Sequence, residues 1–164
     1  MKTFGTDNRD WLLSQTALAS KDPNFEYAES VRVVFDVEAD LNRAGDMAER
    51  TFQAFGSSSP GHGRFAGDTR RCGLFLVPDG ASTGGLENLC RPAASRADVA
   101  RCVDAFEACS GVVALPLTAQ RAKRWVNAYI EAVLGPRKYL RDALAESLFK
   151  EDAFKELKQF LLAL

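Results

Sequence analysis

Apolar and polar positions follow two periods along this chain. Val31-Arg32-Val33-Val34-Phe35 and Cys72-Gly73-Leu74-Phe75-Leu76-Val77 are compact apolar runs of strand length, rich in β-branched and aromatic residues. Each stops abruptly, the first in Asp36-Val37-Glu38-Ala39-Asp40 and the second in Pro78-Asp79-Gly80. Elsewhere the spacing is helical. After Thr6 and Asp7, both good N-caps, the stretch DNRDWLLSQTALAS predicts a helix that Asp22-Pro23-Asn24 breaks. Leu41, Ala44, Ala48, Phe52 and Phe55 predict another, with Gly56 as its C′ residue.

Residues 56–69, GSSSPGHGRFAGDT, read as a polar loop longer than most connections. Beyond the second strand the pattern is wholly helical. Ser95 with Asp98 resembles a capping box, opening a helix with Val99, Cys102, Val103 and Phe106 on one face. Thr118 to Leu134 is the most regular helix, with Ala122, Trp125, Val126, Tyr129, Ile130 and Val133 as its stripe and Gly135-Pro136 as its stop. Two shorter helices follow, the last carrying Phe154, Leu157, Leu161 and Leu164. The order strand, helix, strand and then helices predicts an α/β fold. Its parallel sheet has few strands, flanked by helices, with a helix-rich C-terminal half. We expect one domain over 1–164, with core sheet 28–90 and a helical part 95–164. So narrow a parallel sheet lacks neighbours for its backbone groups.

Composition narrows the function classes. The 164 residues contain 21 Lys and Arg against 22 Asp and Glu, a formal net charge of -1, so no global field draws polyanions. Any phosphate contact must come from a local basic patch or a bound metal. Cys72, Cys90, Cys102 and Cys109 form no CxxC pair and read as buried free thiols. No signal-peptide pattern and no membrane-length apolar run is present, and a cytoplasmic protein is expected. One histidine, His62, makes a triad or a His-rich metal site improbable; between two glycines it reads as a solvated loop residue. Ser57, Ser58 and Ser59 lack a GxSxG context, and no Walker A or GxGxxG pattern occurs.

Two acidic groups carry candidate chemistry. Asp36, Glu38 and Asp40 are spaced by two, which places them on one face while the backbone stays extended. At the carboxyl end of a parallel strand they would converge in the crevice where open α/β sheets bind ligands. Crowded carboxylates invite a hard cation such as Mg²⁺. The competing reading is that Asp40 caps the following helix, with Asp36 and Glu38 near its positive end. Asp79, in Val77-Pro78-Asp79-Gly80, ends the second strand at the same sheet edge, ahead of Gly84-Gly85-Leu86-Glu87, where Glu87 opens a short helix. A plain Pro-Asp-Gly turn is the alternative there. Arg70 and Arg71, and Arg121, Lys123 and Arg124, are either phosphate contacts or a solvated face.

FG-T-DN near the start, VRVVFDVEAD, RCGLFLVPDG…GGLENLC and KEDAFKELKQFLLAL together resemble a prokaryotic family with a TOPRIM-like fold, related to OLD-family nucleases. The resemblance spans nearly the whole chain and is most distinctive from Gly73 to Cys90, a GxxxxPD…GxLE pattern. It implies that Asp36 and Glu38 match the metal-binding Asp-x-Asp pair, with Glu38 where aspartate is usual and Asp40 as a nearby third acid. It implies further that Asp79 and Glu87 belong to the second acidic element of a site for Mg²⁺, with Mn²⁺ as substitute. TOPRIM domains begin with a strand leading to a glutamate thought to act as general acid or base; residues 1–30 offer no match, since Glu26 and Glu29 only precede the first strand. The expected function is therefore that of a degenerate or partner-dependent relative of Mg-dependent nucleases acting on nucleic acid. The alternatives are an active metal-dependent phosphodiesterase and a non-enzymatic interaction module. The latter would pair with a partner protein, or with itself, through an exposed sheet edge. No membrane partner is expected.

Overall fold

The computed structural model describes residues 21–68, 70–111 and 119–163. The helix expected within DNRDWLLSQTALAS, the FG-T-DN segment, Thr118 and Leu164 lie outside the described residues. A 3₁₀ turn at Pro23–Tyr27 leads into β1 (Ser30–Asp36). Then come α1 (Leu41–Ala54), β2 (Arg64–Ala66) and β3 (Arg71–Val77). The helical half comprises α2 (Leu86–Ala93), α3 (Ala97–Cys109), α4 (Ala119–Leu134), α5 (Leu140–Ala145), a 3₁₀ turn at Glu151–Phe154 and α6 (Lys155–Leu162).

The fold is α/β, and the two strands expected from the apolar runs pair in parallel, with Ser30 opposite Arg71 and Asp36 opposite Val77. The sheet is nevertheless mixed rather than parallel throughout. Its order is β1-β3-β2, and β2 runs antiparallel to β3 from within the stretch expected to be loop. Three residues with only Phe65 half-buried carry no period that a sequence pattern can register. What fixes β2 is a close approach: a Cβ at Gly73 would lie 2.5 Å from the Phe65 ring. Glycine in mid-strand therefore makes room for an aromatic laid across it. β1 has no strand beyond its outer edge among the described residues.

Three apolar clusters hold these elements. Phe35, Cys72, Leu74 and Leu76 face Met47, Ala48 and Phe52 of α1. On the opposite sheet face Phe75 and Val77 meet Phe160 of α6, whose ring lies 5.1 Å from Phe65 and 5.4 Å from Phe75. Trp125, Val126, Tyr129 and Ile130 of α4 form the third cluster with Cys90, Val103, Ala143 and Phe149. Thus α4 buries the stripe its spacing predicted. In α6 the buried residue is Phe160, while Leu161 is partly and Leu162 largely exposed, which corrects the expected stripe through Leu161.

The α3 expectations also need correction. Arg96 occupies the N-cap, and Ser95 Oγ instead donates to the Leu148 carbonyl at 2.9 Å, so the Ser95–Asp98 capping box does not form. Val103 and Glu107 are buried on α3, whereas Cys102 and Phe106 face solvent. The buried Glu107 carries the difference. It lies 3.2 Å from Arg91 of α2 and 3.1 Å from Arg121 of α4, and Arg91 also meets Asp104 at 2.7 Å. Asp104 in turn accepts the Trp125 indole N–H at 2.8 Å. The ion network turns α3 so that its charged stripe, not its second apolar one, faces inward. Among the thiols, Cys72 and Cys90 are buried but Cys102 and Cys109 are exposed, contrary to the expectation of buried thiols.

No helix among the described residues is long and apolar enough to cross a membrane. Removing one partner of a buried ion pair leaves the remaining charges under-compensated. Glu107→Ala should therefore lower unfolding free energy by about 3 kcal/mol, read from the urea midpoint, since both guanidiniums lose a shared acceptor. A change as small as that of an exposed pair would refute this role.

Candidate functional site

The parallel register sets the carboxyl ends of β1 and β3 side by side, and the backbone continues that alignment beyond them. Val37 N–H donates to the Val77 carbonyl at 3.0 Å, and Glu38 N–H to the Gly84 carbonyl at 2.5 Å. Glu38 sits at φ 55, left-handed backbone that turns the chain away from the strand. The three acids at 36, 38 and 40 are consequently not on one extended face. The alternation expected of Asp36, Glu38 and Asp40 ends at the first of them.

Asp36 points toward the start of α2. Its Oδ1 accepts the Leu86 amide at 3.0 Å. Between the two elements lies Gly85, where an added Cβ would stand 3.3 Å from both Asp36 Cγ and Glu87 Oε2. Asp36 and Glu87 thus flank one glycine. Glu87 Oε2 is buried and has no hydrogen-bond partner. Burial pushes the Asp36 carboxyl above its ordinary value, and the Glu87 charge pushes it further; the Leu86 amide and Lys123 act in the opposite direction. Lys123 of α4 lies 3.7 Å from Glu38 Oε1 and brings the one cation paired at this edge among the described residues.

The other two predicted acids are committed elsewhere. Asp40 caps α1, its Oδ1 accepting the Asn42 and Arg43 amides at 2.9 and 3.1 Å. That is the competing reading of this residue, and it is the one the geometry favours. Asp79 follows β3 at the expected edge but closes its own turn. Its Oδ1 accepts Ala81 and Ser82 amides at 2.9 and 2.7 Å, and its Oδ2 accepts the Ser82 hydroxyl at 2.8 Å. Those donors, the Ala81 amide foremost, hold the exposed Asp79 below the usual carboxylate range. Among the described residues no three His, Cys, Asp or Glu side chains gather as a ligand set. The structure therefore brings Asp36 and Glu87 together, leaves Glu38 beside them on Lys123, and separates Asp40 and Asp79 by function.

A cavity of about 70 Å³ opens beside the loop, lined in part by Asp36, Val37, Glu38, Asp40 and Arg43, enough for a few waters. The larger cavity, about 500 Å³, is bordered by Gly56, Ser57, Ser58, Gly67 and Arg70, away from the acids. Arg70 is structural there: its guanidinium donates to the Ala28 and Phe25 carbonyls and lies 4.1 Å from the Phe25 ring centroid. Arg71 lies over the Phe65 ring, and Arg121 reaches Glu107, so of the five basic candidates only Lys123 meets the acidic edge.

His62 corrects the expectation of a solvated side chain. Its Nδ1 accepts the Leu76 amide at 2.9 Å, and its ring lies 4.5 Å from that of Phe75. A Cβ at Gly80 would come within 2.3 Å of the imidazole, and Gly80 adopts φ 75, so both space and backbone demand glycine. The two residues are 18 positions apart in the sequence. Only the Gly-His-Gly and Asp-Gly pairs hint that backbone approaches closely there. Lys123, Gly85 and Glu87 stand out in the sequence, but their meeting with Asp36 and Glu38 does not, because it depends on α2 and α4 arriving at the end of β1.

No family model matches this chain, and no significant match was found among curated proteins or solved structures.

Folded Asp36 holds its proton more tightly than the unfolded side chain does. Its contribution is full below the unfolded value near 3.8 and is lost as the pH rises through the raised folded value. Asp36→Asn in chelator should therefore raise Tm at pH 7, by about 2–4 °C if one kcal/mol is recovered. The gain should shrink toward pH 4. A variant less stable than wild type at pH 7 would contradict the repulsion inferred here.

Proposed function

We propose that this chain is a TOPRIM-like domain whose acidic edge holds one divalent cation, Mg²⁺ or Mn²⁺ in its place, for contact with a phosphodiester of nucleic acid. The observation that carries this reading is the buried Glu87 Oε2, which has no hydrogen-bond partner and stands across Gly85 from the half-buried Asp36. A buried carboxylate oxygen without a donor is costly, and a cation is one group that satisfies it.

The donor set fits Mg²⁺ in number and kind. That ion commonly takes one or two carboxylates and completes its shell with water and substrate phosphates, rather than sitting in an all-protein cage. Asp36 and Glu87 would be the two carboxylates. Because Asp36 Oδ1 already accepts the Leu86 amide, Oδ2 is the oxygen to offer. The bound cation would supply charge neutralisation at the phosphate and a water of lowered pKa.

The chain's own residues would do the rest. The Leu86 amide orients Asp36, Gly85 keeps the two carboxylates close, and Lys123 neutralises Glu38. Neither Asp40 nor Asp79 takes part: each accepts two backbone amides of its own turn, and the carboxylates met at Gly85 are Asp36 and Glu87. The titratable groups beside the carboxylate pair, Glu38 and Lys123, engage each other at 3.7 Å. The single histidine spends Nδ1 on the Leu76 amide. That arrangement favours a degenerate or partner-dependent relative of Mg-dependent nucleases over an enzyme active by itself.

Melting in increasing Mn²⁺ tests the reading. At a hundredfold excess over Kd, binding to the folded state alone stabilises by about 2.7 kcal/mol, which corresponds to a rise of about 5 °C or more. Glu87→Gln and Asp36→Asn should each abolish the rise, while Asp79→Asn should keep it. A wild type that does not respond, or a response that survives Glu87→Gln, overturns the proposal.

A further inference from the structure

The approach to α5 and its first two residues read Arg137-Lys138-Tyr139-Leu140-Arg141, three cations and an aromatic in five residues of a chain whose net charge is -1. All three cations are exposed. Tyr139 leaves 63% of its surface in water, one of the largest exposed aromatic areas among the described residues. A ring of that size is costly to display and is ordinarily packed away.

This one is displayed on a fixed base. The Tyr139 amide donates to Asp142 Oδ2 at 2.8 Å, while its carbonyl accepts the Asp142 and Ala143 amides at 2.9 and 3.2 Å. Its backbone is thus held on both sides while the ring projects. The Arg141 guanidinium lies 5.8 Å from the ring centroid and is 83% exposed. Its ion pair with Asp142 is long, at 3.9 Å, so the charge stays available to a second anion. Arg137, at φ 64, and Lys138 directly precede Tyr139 in the chain, and both are exposed.

From these observations we infer that residues 137–141 form a contact for single-stranded nucleic acid. One base would stack on Tyr139, with the flanking phosphates on Lys138, Arg141 and Arg137. An exposed π-face beside cations serves a single strand, whose bases are free to stack, and is of little use to a duplex, whose bases are already stacked. The inference deepens the reading of the acidic edge by naming single strands as its substrate class, and rests on that reading for this link alone. α4 connects the two, rising about 16 Å from Lys123 to Leu134.

Fluorescence anisotropy with a labelled oligothymidylate tests this. Chelator is present throughout, so the result does not depend on the cation. Tyr139→Ala should weaken binding about tenfold, within the range for loss of one stacked base. Lys138→Gln with Arg141→Gln should reduce the slope of log K against log salt by about 1.4. Circular dichroism should show both variants folded, as expected for exposed side chains.

The inference is overturned by no binding by wild type, equal binding by Tyr139→Ala, or tighter binding to a hairpin duplex than to the single strand. Capture by phosphatidylserine vesicles without oligonucleotide binding also overturns it, in favour of a membrane contact. Loss of the Mn²⁺ response with oligonucleotide binding intact sinks the acidic-edge reading and spares this one. Loss of binding with the Mn²⁺ response intact does the reverse.

Discussion

Two half-buried carboxylates flanking one glycine repel each other, and the end of β1 is organised around that repulsion. Asp36 and Glu87 come from different structural layers, one from a strand and one from the first turn of a helix. They meet because the parallel register carries Asp36 level with Val77 and the following loop brings Gly84 and Gly85 back across it. The Leu86 amide offsets part of the cost at Asp36, and Lys123 offsets part through the field it shares with Glu38. Glu87 Oε2 has no such compensation. The cation proposed above would give this oxygen its partner.

The helical half earns its place in this arrangement through α4. The same helix buries Trp125, Val126, Tyr129 and Ile130, sends Arg121 into the Glu107 network and extends Lys123 to Glu38. A shift of α4 would therefore disturb the core, the ion network and the acidic edge together. Rigidity of this kind suits an edge whose two carboxylates are held close against their own repulsion. It also explains why three adjacent-looking basic residues, Arg121, Lys123 and Arg124, have three fates: buried ion pair, acidic-edge partner and exposed cation.

Where one periodicity governed an element, the sequence was legible. The apolar runs of β1 and β3, the Asp40-capped α1 and the stripe of α4 all follow from local rules of period and capping. The failures share a cause, which is that a distant partner decided the outcome. β2 exists because Phe65 lies over Gly73, and α3 is turned by Arg91 and Arg121 rather than by its own apolar spacing. At the acidic edge the residue types were legible but their grouping was not. The positive φ of Glu38 ended the alternation that would have aligned 36, 38 and 40, and side-chain capping absorbed Asp40 and Asp79. The pairing of Asp36 with Glu87 spans 51 positions and needed the fold.

Under the proposed reading a cation at this edge would sit between Asp36 and Glu87 and would not be held by Asp79. Paramagnetic broadening of backbone amide signals by substoichiometric Mn²⁺ tests it at the level of single residues. The account predicts that Gly85, Leu86 and Glu38 broaden first, while Ala81 and Ser82, which serve Asp79, persist. Broadening that begins at Ala81 and Ser82, or that is spread over exposed acids such as Glu151 and Asp152, would contradict it.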